Sequence, residues 1–314
     1  TDVKDTLWNI EVEDPYRWLE DDRSNETEVW VDHQINFTQS YLEQIPWRQP
    51  LRNRFEALFN YEKIGMPRKI GDRYFIAIND GLQNQSVWYV RDSMDGANRV
   101  FLDPNGLSED GTVTASLGSA SEDDRFITVT QSAAGSDWQE IHVWDLASGK
   151  PQGDVLKWVK FSGSSWVGNG FYYSRYPAPD GSALSAENTF HSVYYHEVGT
   201  PQSQDRLVYR NDKEPNRYHF AYTTEDRRYL ILNTSTGTDG NSLDYLDLQA
   251  PDAQWESLVS GFDTRCSVVD HHEGRLLVLT DDNAPTYRLV GINVQNHLDQ
   301  LDVIPASEHL LEGV

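Results

Sequence analysis

A chain of 314 residues with 26 basic and 50 acidic side chains carries a net charge of -24, and such a surface repels phosphate backbones, which excludes nucleic acid as a partner. Hydrophobic residues make up 38% and aromatics 12%, enough to fill a large core, so a mean hydropathy of -0.64 does not signal disorder. Charged residues interrupt every apolar run well short of the roughly 18 that cross a bilayer, which excludes a membrane-spanning helix.

Residues 1–61 read as an N-terminal helical segment. Asp21-Asp22-Arg23-Ser24 supplies polar N-cap candidates, and Trp30, Ile35, Tyr41 and Leu42 follow in a helical pattern. Pro50 suits a first turn, and Leu51, Phe55, Leu58 and Phe59 then fall on one face of a second helix. Two amphipathic helices need a surface to pack on, and the β-rich remainder is one candidate.

From Tyr61 the period changes to two. Tyr74–Ile78, Val87–Val90 and Arg99–Leu102 read as short strands between Gly, Asn and Asp turns. A polar turn leading into an aromatic or Leu strand start recurs at residues 74, 126, 171, 229 and 276, spaced 52, 45, 58 and 47 apart. Some four strands per unit of that length are the mark of β-propeller blades. A two-sheet sandwich is the rival, but it rarely needs five similar units. The expectation is a mainly β chain in which residues 62–314 form an incomplete propeller of about five blades, an open arc with no terminal segment closing the first blade.

Side chains capable of chemistry are scattered. Gly163-Ser164-Ser165-Trp166-Val167 and Gly240-Asn241-Ser242-Leu243-Asp244 each fail the last position of the Gly-x-Ser-x-Gly elbow and read as turns. His271-His272 and the His191/His196 pair diverge across strands, so no metal site is expected. Acidic pairs such as Asp123-Asp124 and Asp281-Asp282 sit in turns, where Asp bonds backbone amides. No Gly-rich phosphate loop leads into a helix, and no cofactor is expected. Cys266 is the lone cysteine, which rules out an intrachain disulfide and reads as a small buried hydrophobe. A lone thiol favours the cytoplasm; because the start at Thr1 reads as trimmed, a lost leader peptide and a periplasmic location are the alternative.

Asp14-Pro15-Tyr16-Arg17-Trp18-Leu19-Glu20-Asp21, Gly81-Leu82-Gln83-Asn84-Gln85, Val100–Asn105 with Asp110-Gly111-Thr112, Ser132–Trp138, Val159-Lys160-Phe161-Ser162, Tyr194-Tyr195-His196 and Tyr287-Arg288-Leu289 occur in this order along the chain. In sequence and spacing they resemble the N-terminal portion of the prolyl oligopeptidase family, serine peptidases that cut short peptides after proline. The Asp14-Pro15 start is closer to prolyl oligopeptidase than to oligopeptidase B. The resemblance implies a seven-bladed propeller that gates access to a C-terminal α/β-hydrolase domain, onto which the N-terminal helices wrap. That domain, with its Ser, Asp and His, is absent from these 314 residues, so no catalytic residue is expected in them. The resemblance implies that substrate is reached by Phe161, at the position of an apolar wall beyond the proline pocket, and by Tyr218, at a second wall position. Asp137 matches an Asp that pairs with a substrate-facing Arg, but the Arg position holds Ser235. Without that cation Asp137 is expected to cap a local turn.

The first reading is therefore the propeller portion of a proline-specific endopeptidase, with short proline-containing peptides and the hydrolase domain as partners. The alternatives are a free-standing propeller that binds peptides or proteins, and a carbohydrate-active propeller enzyme, which needs convergent carboxylates on one rim.

Overall fold

Ser24 ends the run of turn residues and caps the first helix: its hydroxyl accepts the Thr27 amide at 3.1 Å, and helix α1 runs Asn25–Glu43. Helix α2 runs Arg48–Phe59 with Pro50 in its first turn, where the missing amide costs nothing. This computed structural model describes residues 3–184 and 186–314. Ahead of α1 lies a hairpin of Lys4–Leu7 and Ile10–Glu13, an element absent from the helical expectation for residues 1–61. Trp8 and Asn9 turn it with φ of 49° and 65°, a two-residue left-handed turn that sequences usually announce as Asn-Gly. Trp at the first position hides it.

Five antiparallel sheets follow among the described residues: I (63–102), II (114–159), III (165–209), IV (218–259) and V (266–304). Sheets II to V each have four strands in chain order. In sheet I the first strand is broken into Lys63–Ile64 and Arg68–Ile70, both paired with Arg73–Asn79. Pro67 sits at the break, as a residue without an amide must. Each of the five repeat starts read from sequence lies in the second strand of its sheet: Arg73–Asn79, Phe126–Ser132, Gly170–Arg175, Tyr229–Ser235 and Arg275–Thr280.

The sheets pack in series through four cores. Phe75 and Phe101 meet Ile127 and Val129 between I and II; Ile141 and Leu156 meet Trp166 and Phe171 between II and III. Tyr172 and Val193 meet Leu230 and Leu232 between III and IV, and Ile231 and Leu243 meet Val268 and Leu276 between IV and V. This serial packing is that of a propeller, not of two sheets face to face. At seam II/III, His196 Nδ1 lies 2.7 Å from Asp205 Oδ1 and its Nε2 3.4 Å from Asp154 Oδ1, all three side chains being almost wholly buried. Gln202 adds two hydrogen bonds to the Lys157 backbone.

The first strands converge on an axis. Glu122, in the turn after the first strand of sheet II, accepts both the Gly168 amide of sheet III and Arg227 Nε of sheet IV at 3.0–3.1 Å. Sheets II and IV are not neighbours, so only a common centre lets them meet. The opposite face carries the starts of the first strands, and there the residues expected to reach substrate lie.

The helices correct one expectation. Only Thr27 of α1 is buried, and α2 buries none. Ile35, Phe37, Phe55 and Phe59 are all more than half exposed, so the sheets are not the surface that covers them.

Candidate functional site

The fourth strand of sheet II, Lys150–Val159, gains one residue against its partner between Leu156 and Val159. This bulge turns Trp158 into the left-handed region at φ 62°, where glycine is the usual occupant. Phe161, three residues on, is also left-handed at φ 52° and is 54% exposed. A bulky residue costs roughly 1–2 kcal/mol in that region, and such strain concentrates where side-chain direction matters.

Phe161 meets Tyr218, the first residue of sheet IV, edge to face at 6.2 Å between ring centroids. Tyr218 is stacked nearly parallel to Phe220 at 6.4 Å. The two residues that the family resemblance assigns to an apolar wall are therefore brought together although 57 positions separate them. His191 fixes them from beneath. Its Nδ1 accepts the His219 amide at 3.0 Å, so its Nε2 donates to the Lys160 carbonyl at 3.2 Å. Lys160 and His219 are the chain neighbours of Phe161 and Tyr218. Burial lowers the His191 pKa to about 4, so the ring is neutral at pH 7 and keeps its acceptor.

From His191 a chain of packed rings runs sideways beneath the surface to Trp138 and Trp158. His191 contacts Tyr176 at 4.7 Å, Tyr176 contacts Trp138 at 6.0 Å, and Trp138 contacts Trp158 at 5.5 Å. Lys160 Nζ stands 4.1 Å over the Trp138 ring, a cation–π contact. Sequence reading missed Trp158, Tyr176 and His191; the only local trace is a Trp amid charged residues in Lys157-Trp158-Val159-Lys160.

Asp137 is exposed in the loop between the second and third strands of sheet II. Among the described residues its carboxylate accepts no hydrogen bond, and the amide of Trp138 goes to Ser136 Oγ at 3.1 Å, so the turn is capped by the serine. Ser235 lies directly across from Tyr218 in the sheet IV register. The serines of the two near-elbow sequences have other company. Ser164 Oγ bonds Ser119 and Thr128 hydroxyls at 2.6 and 2.7 Å, Ser165 Oγ bonds Thr223, and Ser242 lies in a strand. Among the described residues no serine hydroxyl is hydrogen-bonded to a histidine ring. Cys266 is buried in the IV/V core, and burial pushes its thiol up to about 12.

Comparison with known proteins gives one consistent answer. Residues 1–314 match the family described as prolyl oligopeptidase, N-terminal beta-propeller domain. The chain is 42% identical over 312 residues to a prolyl endopeptidase of Elizabethkingia meningoseptica, covering 98% of this chain and 44% of that protein. It is 30% identical over 325 residues to a dual function macrocyclase-peptidase of Galerina marginata, covering 94% and 44%. A solved structure from work on two prolyl endopeptidases superposes with a TM-score of 0.88 at 27% identity, covering 98% of this chain and 46% of that one. Prolyl oligopeptidase B from Galerina marginata, bound to a 25mer macrocyclization substrate, gives 0.84 at 29% identity, covering 98% and 47%. The chain thus spans less than half the length of these relatives, and it belongs to the prolyl oligopeptidase N-terminal β-propeller family.

Proposed function

We propose that this chain is the substrate-facing propeller of a serine peptidase that cuts short peptides after proline. Residues 1–61 and 62–314 are its two parts. The nucleophile and its partners come from an α/β-hydrolase unit, onto which the exposed apolar residues of α1 and α2 dock, and the propeller restricts access to it. The family match and the peptide bound to the Galerina marginata relative support this reading.

The observation that carries it is the Phe161–Tyr218 pair, with Phe161 exposed on a strained backbone, Tyr218 half-buried against it, and both riveted through His191. Such a wall shields an apolar side chain of the substrate from water, a contribution of roughly 1.5–3 kcal/mol if burial is complete. It supplies no proton and no nucleophile. Its part in acyl transfer is to hold the peptide in place while the hydrolase unit reacts.

The test is a Gly-Pro-linked chromogenic peptide mixed with residues 1–314, alone and with a separately made hydrolase unit. We expect no turnover alone and turnover on mixing. Phe161→Ala should raise KM about tenfold with kcat little changed, the pattern of lost uniform binding. Cleavage by this chain alone would overturn the division of labour. Binding without restored turnover would favour a peptide-binding module.

A further inference from the structure

Beside the aromatic wall, on the same face, sits a cleft of about 380 Å³ at that end of sheet II, lined by Trp138, Trp158, Gln131, Gln139, Glu140 and Lys157. Its volume falls at the small end of ligand sites. Three features mark it as built for an occupant. Trp158 reaches it only through the bulge and the left-handed backbone described above. The carboxamides of Gln131 and Gln139 line it half-buried, with no hydrogen-bond partner among the described residues. Glu140 is matched by Lys157 at 3.5 Å and His142 at 3.3 Å, so the cleft has aromatic walls and neutral amides.

We propose that this cleft holds the upstream residues of an extended, proline-containing peptide whose downstream end rests on the Phe161–Tyr218 wall. The proposal rests on the peptidase reading above and extends it to longer substrates. Proximity carries it: Trp158 in the cleft and Phe161 in the wall stand three residues apart, and Lys160 between them covers the Trp138 ring at 4.1 Å. Proline-rich chains are extended before they bind and leave their carbonyls unpaired. Aromatic rings take the pyrrolidine faces, and free carboxamides donate to the carbonyls, the chemistry by which such segments are recognised elsewhere. A net charge of -24 disfavours acidic upstream residues.

The experiment is calorimetric titration of the 314-residue chain with two N-acetylated peptides. One is a tetrapeptide ending in Gly-Pro; the other is a decapeptide that extends it upstream with alternating Pro and Ala. The decapeptide should bind about tenfold more tightly. Trp158→Gly, which removes the indole and suits the left-handed backbone, should erase that gain and leave the tetrapeptide unaffected. Gln139→Ala should remove part of it, about threefold. A thermal melt confirms that both variants fold. Equal affinity for the two peptides, no binding of the decapeptide, or a gain that survives Trp158→Gly overturns the cleft. Phe161→Ala separates the two readings: it should weaken both peptides. If it weakens neither while Trp158→Gly still removes the gain, the cleft stands and the wall falls.

Discussion

Two histidines decide how this site responds to acid. Burial lowers both His191 and His219 to about 4, against roughly 6.5 for an unfolded imidazole. Between those values the unfolded chain binds more protons than the folded one, so the contribution is complete above about pH 6.5 and is lost as pH falls toward 4. Each ring can contribute a slope of up to about 1.4 kcal/mol per pH unit. Carboxylate protonation relieves self-repulsion over the same range, so the imidazole effect is read as a difference. In urea unfolding from pH 7 to 4.5, the stability advantage of the wild type over His191→Gln should shrink by about 1 kcal/mol per unit. An advantage independent of pH would show that the ring does not titrate. Little of this was legible beforehand: the sequence shows only that His191 and His196 diverge across a strand, and nothing local says that two sheets close over His191 and His219.

At the scale of the element, the strands tolerate added bulk unequally. In Gly170, at the start of the second strand of sheet III, an added Cβ would lie 2.1 Å from the His196 carbonyl. Backbone cannot move aside without breaking the pairing of Gly170 with Glu197. In Gly291, mid-strand in sheet V, the nearest neighbour is Arg275 Cδ at 3.3 Å, a flexible chain. Gly170→Ala should therefore cost about 3 kcal/mol or more, while Gly291→Ala should lie within about 1 kcal/mol of wild type, since Ala also lowers unfolded-state entropy. Chemical denaturation of both variants checks the order, and equal costs would refute it. Elements were the most legible layer of the sequence. Ser24 and Pro50 announced the two helices, and the polar turns before 74, 126, 171, 229 and 276 announced strand starts, because capping and turn chemistry are local; that these are second strands came from the sheets. The Trp8-Asn9 turn was not announced, since no residue there favours a left-handed backbone strongly enough.

For the whole molecule, the seams differ in what holds them. Sheets III and IV bury Phe171, Val193, Leu230 and Leu232 completely, and seam II/III adds the His196 and Gln202 links. By contrast, the last strand, Gln300–Ile304, is exposed throughout, and α1 and α2 bury almost nothing. Amide hydrogen exchange should accordingly be slowest in Gly170–Arg175 and Tyr229–Ser235 and fast in Gln300–Ile304 and both helices. Helices protected as strongly as sheet III in the isolated chain would contradict this, and would mean that another surface covers them.

By itself the sequence determined most element types and the repeat of strand units, because periodicity and turn residues are written along the chain, while Phe161 and Tyr218 entered as one apolar wall only through a family resemblance. Only the tertiary structure decided that His191 rivets that wall, that Trp138 and Trp158 open a cleft beside it, and that the helices stand uncovered. Those facts depend on which sheets pack together and on a single bulge residue, and packing between distant segments leaves no mark on local pattern.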